Sequence, residues 1–230
     1  MSKTQTAITT GQSVFQYKIT DTVDYKSHLN IFKVGKSNKK LGWKISKGIW
    51  KSLPIYSLTL EERKTCPETC RHWADCFGNN MPFAVRFVLN ESLFNRIDID
   101  LNKLMAKHQN GIALRLHVLG DFGSLEYVKV WENMLNKYPM IKIFGFTAYS
   151  PTDKIKENRE IGKELASLRV KFAGRFQIRI SGGGDIEYSA NPINDGFAGF
   201  TCPEQTSKVA SCASCGICWT SKKNVNFITH

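Results

Sequence analysis

The 230-residue chain is long enough for one domain with an appendage, and its 42% hydrophobic residues can form a core. No apolar run reaches the roughly eighteen residues that a membrane span needs, and Met1 to Thr10 carry no apolar leader pattern, so the expected location is cytoplasmic. The net charge of +12 favours polyanionic partners such as nucleic acid or nucleotide phosphates, or else marks a solvated basic surface.

In chain order, residues 1 to about 30 are polar and weakly periodic, which predicts an irregular lead-in. Lys33 to Lys51 hold seven lysines interleaved with Trp43 and Trp50. Cations among aromatics suit a surface for phosphates and bases, and Lys36, Lys39, Lys40, Trp43, Lys44 and Lys47 are its candidate contacts; a basic loop packing two indoles on the core is the plainer alternative. Leu53 to Leu60 predicts a strand leading into a cysteine loop, and 91–108 a helix with Leu93, Ile97, Leu101 and Leu104 on one face. Strands at 111–119, 141–149 and 176–181 then alternate with helices at 125–138, capped by Ser124, and about 154–171, capped by Thr152 or Asp153. The alternation predicts βα units and a mainly parallel sheet, either curved and open or a partial (β/α) barrel, since a full eight-fold barrel needs more chain. Residues 185–200 are turn-rich, and 225–228 predicts a last strand. Three regions result: a basic segment over 1–50, a βα core over 51–184 and a cysteine-rich extension over 185–230.

Two strands read polar on one side. Leu114, Leu116 and Val118 alternate with Arg115 and His117, and Phe176, Ile178 and Ile180 alternate with Gln177, Arg179 and Ser181. Parallel strands covered on both faces are usually apolar throughout. The pattern predicts a sheet around a polar cavity lined by Arg115, His117, Gln177, Arg179 and Ser181, or else one face in solvent. Gly120-Asp121 falls at a strand's carboxyl end, where parallel α/β folds place ligands. Arg115, His117, Asp121 and Arg179 are thus the candidate catalytic residues, and Gly120, Asp121, Gln177 and Ser181 the candidate cofactor contacts.

The seven cysteines, an odd number at short gaps in a reducing compartment, read as metal ligands rather than disulfides. Cys66-x3-Cys70-x5-Cys76 places three thiols on one loop. Three thiolates on a [4Fe–4S] cubane leave one iron open, whereas His72 or Asp75 as a further ligand would close the site. The second group is Cys202-Pro203, then Cys212-x2-Cys215-x2-Cys218. Three cysteines at gaps of two plus a remote Cys-Pro suit a second [4Fe–4S] cluster, with zinc as the alternative at these four thiols. The division predicts a reactive and a structural or electron-relaying centre at opposite ends of the core.

A three-cysteine loop after the first strand, a Gly-Asp turn after the second and successive βα units resemble a compact radical S-adenosylmethionine (SAM) fold, although that superfamily's loop usually has gaps of three and two. More specifically, Tyr56 to Pro67, Cys76-Phe-Gly-Asn-Asn-Met81, Arg115 to Phe122, Phe144-Gly-Phe-Thr147, Cys202-Pro-Glu-Gln-Thr206 and Cys215-Gly-Ile-Cys218-Trp219 are similar to the phage gene-product-eighty-eight family and its bacterial relatives. The resemblance spans roughly residues 50 to 230 and implies a radical-SAM-like iron–sulfur protein in a bacterial or phage-infected cell. It also implies that Gly120-Asp121 would meet the SAM amino group, and it names no reaction. The expected function is a two-cluster enzyme that uses SAM on a nucleotide, nucleic acid or similar anion, with electrons supplied by a reductant protein. The alternatives are a nucleic-acid-binding protein with structural iron–sulfur or zinc sites, and an iron–sulfur sensor acting on a protein partner.

Overall fold

A computed structural model describes residues 11–228, so the first ten residues of the expected lead-in lie outside the described residues. The strands are β1 (Ile19–Thr20), β2 (Lys33–Val34), β3 (Ile55–Ser57), β4 (Arg86–Phe87), β5 (Ile112–Leu116), β6 (Ile141–Thr147), β7 (Phe176–Ser181), β8 (Ser189–Pro192), β9 (Phe200–Thr201) and β10 (Val225–Phe227). The helices are α1 (Glu91–Lys107), α2 (Leu125–Lys137), α3 (Lys156–Lys171) and the single turns α4 (Cys212–Cys215) and α5 (Ile217–Thr220). Eight strands form one sheet in the order β2-β3-β5-β6-β7-β8-β10-β9, in which only β2 runs antiparallel to its neighbour. The sheet is open, ending at β2 and β9, so the predicted parallel α/β core is present and a closed barrel is not.

The helices follow from sequence period and caps. Asn90 and Ser124 accept from the amides of Leu93 and Tyr127, each at 3.1 Å, which starts α1 and α2 where the first apolar-periodic residues begin. α3 starts later than predicted, after Ile155 and without a side-chain cap; Asp153 instead accepts from the Ile155 amide at 2.9 Å in the turn before it. Leu93, Ile97, Leu101 and Leu104 of α1 join Tyr127, Trp131 and Leu135 of α2 and Leu165 and Leu168 of α3 on one sheet face. There they bury Tyr56, Ile112, Leu114, Leu116, Ile143, Phe176 and Ile178. This is the main core, and burying these side chains is the chief favourable contribution to folding of the βα units.

The opposite face is not a cavity. Leu41, Ile45, Trp50 and Leu53 from the amino-terminal side and Ala213 and Trp219 from the carboxyl-terminal side pack there against Ile55, Ala113 and Phe144. The expected polar hollow is therefore corrected: the two flanking segments fold over the sheet and fill it with a second apolar cluster. Backbone bonds join these covers, with the Cys212 and Ala213 amides donating to the carbonyls of Lys40 and Leu41 at 2.8 and 2.9 Å. Residues 185–200, predicted as loop, contain β8, and 225–227 enter the sheet between β8 and β9.

Candidate metal centres

The three-cysteine loop lies across the carboxyl ends of the parallel strands. The Asp121 amide, just after β5, donates to Thr65 Oγ1 at 2.9 Å, and Tyr149, just after β6, donates its hydroxyl to the Thr65 carbonyl at 3.0 Å. Thr69 donates to Asp153 at 2.8 Å. Arg71 forms an ion pair with Asp195 and packs against Gly182, the residue after β7. Gly120 takes φ +76°, and a β-carbon there would stand 2.7 Å from both Leu60 Cβ and Thr65 Oγ1, so only glycine lets the loop approach this turn.

A buried ionic frame holds the loop from behind. Arg86 Nε donates to Glu62 Oε2 at 2.7 Å with both side chains shut off from water, and Arg86 also donates to the carbonyls of Gly78, Met81 and Ala84. Arg63, in the left-handed region at φ +67°, donates to the Trp73 carbonyl at 3.1 Å and to Asn79 Oδ1 at 2.7 Å, bracketing the segment that carries Cys76. These residues are hidden in a sequence that reads as a polar step. Their signal is the Glu62-Arg63 pair just before the first cysteine and Arg86 just after the turn.

Within this frame Cys66, Cys70 and Cys76 are free thiols within electrostatic reach of one another. Burial raises all three, Cys66 well above the usual thiol range and Cys70 to about 11, with Asp121 and the neighbouring thiols adding to the rise at both. His72 and Asp75 pair with each other at 3.4 Å on the accessible side of the loop. Asp121 is buried, and burial pushes its carboxyl to about 7 against the pull of three donors: the Phe122 amide, the Thr147 hydroxyl at 2.8 Å and the Ala148 amide at 2.6 Å.

The second group assembles on the covered sheet face. Cys202 is buried, and Cys212 and Cys218 lie within electrostatic reach of it and of each other, with Cys215 beside Cys218. Burial raises Cys212 to about 12 and Cys218 to about 11, opposed at both by Arg115 and at Cys218 also by Arg179. Arg115 also lies within reach of Asp121, which in turn faces Cys66 and Cys70. Asp121 and Arg115 thus lie between the charges of the two cysteine groups, the first on the loop side and the second on the covered sheet face.

The other predicted residues separate. His117, one residue past β5, packs on the helical side against Phe122 and Tyr127, with Nε2 3.1 Å from the Tyr127 hydroxyl. The strand alternation that places it beside Arg115 stops with the ladder at Leu116, so it does not line the sheet face assigned to it. Arg179 is a clamp: it donates to the carbonyls of Cys218 at 3.0 Å, Lys223 at 2.9 Å, Ile217 at 3.3 Å, Ser189 at 3.4 Å and Ser221. Gln177 is buried in β7, and Ser181 ends that strand next to Gly182. The Gly182–Gly184 turn is held internally, with Gly184 bonded to the Asn191 and Asn224 side chains at 3.0 Å.

Of the basic segment, Lys36, Lys39, Lys44 and Lys47 point to solvent and Trp43 is 41% exposed, whereas Trp50 is buried. Lys40 is also partly exposed. It pairs with Glu204 at 3.4 Å and faces Cys212.

Among the described residues, no group of three or more His, Cys, Asp or Glu side chains stands close enough to hold one metal ion. A single tetrahedral zinc with Zn–S bonds of about 2.3 Å needs its sulfurs about 3.8 Å apart, while the thiolates of a cubane bind separate irons and stand wider. The buried polar side-chain atoms without a partner among the described residues include two guanidinium nitrogens, Arg63 Nη1 and Arg115 Nη1. Arg63 lies beside Cys76, and Arg115 beside Cys212 and Cys218.

No helix among the described residues is long and apolar enough to cross a membrane. No family model matches the chain, and no solved structure matches it. Among curated proteins the chain is similar to Toxin CfTX-2 of Chironex fleckeri, 33% identical over 95 residues, which is 40% of this chain. The match covers 20% of that protein, so the chain spans about a fifth of its length.

Proposed function

We propose that the protein is an iron–sulfur enzyme with two [4Fe–4S] centres, of radical-SAM-like type, acting on a nucleotide, nucleic acid or related anion. One observation supports this: Arg63 near Cys76, and Arg115 near Cys212 and Cys218, each bury a guanidinium Nη1 that has no acceptor among the described residues. A buried cation without a counter-ion is costly. A thiolate-ligated cluster is anionic and accepts hydrogen bonds at sulfur, so it suits both sites. The raised thiols bind metal only by releasing protons, which makes loading favour alkaline pH.

Cys66, Cys70 and Cys76 would hold the first centre, and Cys202, Cys212, Cys215 and Cys218 the second. Three thiolates would leave the centre open to SAM, whose reductive cleavage is the chemistry such a group would supply. The chain's own contribution is positional. Thr65, Gly120 and Tyr149 fix the loop over the strand ends, and Glu62, Arg63 and Arg86 fix the Cys76 side. Asp121, whose proton is poised near neutrality, faces Cys66 and Cys70 and can hold or accept a proton there.

The test is anaerobic reconstitution followed by iron, sulfide and zinc analysis. About eight irons per chain are expected for two cubanes. With SAM and dithionite the protein should release 5′-deoxyadenosine above a Cys66→Ala control. Iron-free protein, or yields equal to the control, removes the proposal.

The exposed Lys36, Lys39, Lys44 and Lys47 around Trp43 favour a second reading, a nucleic-acid-binding protein in which the cysteine centres are structural. Salt-sensitive RNA or DNA binding without SAM affinity would select it.

A further inference from the structure

Arg115 sits in the middle of β5, on the sheet face covered by the carboxyl-terminal cysteines. Its guanidinium lies 4.3 Å from the ring centroid of Phe146 and 6.0 Å from that of Phe144, so aromatic faces fix its plane. It forms no ion pair among the described residues, its Nη1 is closed to solvent, and that nitrogen has no acceptor. Arg179, the other arginine at this group, differs: its donors go to five main-chain carbonyls, so it fixes the 217–223 backbone. The chain thus presents one arginine to the backbone of the second cysteine group and keeps another, with a spare N–H, on the sheet face where Cys212 and Cys218 pack.

We propose that Arg115 is the built-in donor of the carboxyl-terminal centre: its free Nη1–H bonds a sulfur there and holds the centre's reduction potential up. This rests on the iron–sulfur reading above. The physical reason is that one-electron reduction makes the centre more negative, and a fixed cation with an N–H aimed at sulfur stabilises that form more than the oxidised one. The sheet already holds the guanidinium in place, so little reorganisation accompanies the electron.

The experiment uses the full chain carrying Cys66→Ser, Cys70→Ser and Cys76→Ser, so that only the carboxyl-terminal centre loads. Its midpoint potential is followed by electron paramagnetic resonance during a dithionite titration, in this background and with Arg115→Gln, Arg115→Lys and, as a control, the exposed Lys129→Gln. Arg115→Gln should lower the potential, Arg115→Lys should lower it less, and Lys129→Gln should leave it unchanged. Loss of the cluster from both Arg115 variants with circular dichroism unchanged also supports the assignment, since the cation would then be needed to hold the anion. Equal potentials in all loaded variants overturn the inference and leave the iron–sulfur reading intact. Unfolding of both Arg115 variants overturns it too, because the arginine would then serve the metal-free fold. A background chain that takes up no iron at these four cysteines removes the reading on which the inference rests.

Discussion

The indole of Trp50 lies flat on that of Trp219, with ring centroids 5.4 Å apart and planes 5° from parallel. Trp50 also donates Nε1–H to the Gly174 carbonyl at 2.9 Å, and both rings touch Phe144 of β6. One stack therefore ties the basic amino-terminal segment, the carboxyl-terminal cysteine segment and the sheet together. Trp50→Ala should cost about 3–5 kcal/mol of stability, the usual range for emptying a large buried aromatic site. Denaturant unfolding measures the cost, and a loss within about 0.5 kcal/mol of zero contradicts the packing described here.

The Glu62–Arg86 pair is a second point of weakness, because removing either partner strands the other charge in a dry site. Glu62→Ala or Arg86→Ala should each destabilise by about 3–5 kcal/mol. The double variant should cost less than the two singles added together. Additive losses in this cycle would show that the groups do not act on each other.

His117 gives a pH dependence whose sign follows from burial. Burial, and to a lesser degree Arg115, lower its folded pKa to about 3 from the ordinary 6.5. As pH falls below about 6.5 the unfolded chain takes up a proton that the folded chain refuses, so stability is full above that value and declines toward pH 3. The limiting slope is about 1.4 kcal/mol per pH unit. In metal-free protein, His117→Phe should flatten the decline between pH 6.5 and 5. An unchanged acid limb assigns it to other groups.

The exposed lysines make the nucleic-acid reading testable by charge alone. Replacing Lys36, Lys39, Lys44 and Lys47 together by glutamine should leave the fold intact and weaken RNA or DNA binding. The slope of log affinity against log salt should also become shallower, by about 0.7–0.9 for each phosphate that the variant no longer neutralises. Equal slopes in wild type and variant place any binding elsewhere.

The βα core was legible because period and caps coincide. The spacing of Leu93, Ile97 and Leu101 and the caps at Asn90 and Ser124 each specify the same helices that packing requires. The cysteine spacings are read from short gaps alone, and among the described residues no three such side chains stand close enough to hold one metal ion. What the sequence obscured was the role of the polar strand residues. Arg115 and Arg179 share a face, as alternation predicts, yet they do not line open space. Trp50 covers that face from a position 124 residues before its partner Gly174, and the Cys218 carbonyl reaches Arg179 from 39 residues further on. No local period encodes such long-range covering. Arg63 and Glu62 were obscured for the opposite reason: a charged tetrapeptide normally points to water, and only the tertiary position of Arg86 makes burial tolerable.

β10 is an interior strand, flanked by β8 and β9, although both of those precede it in the chain. A nascent polypeptide leaving the ribosome therefore holds a gap between β8 and β9 until residues 225–227 are free to slot in. The carboxyl-terminal cysteine segment is accordingly fixed on the sheet late, after the Cys66 loop can settle on its βα platform. A released chain truncated after Thr220 should resist protease across residues 91–181 while residues 185–220 are cut.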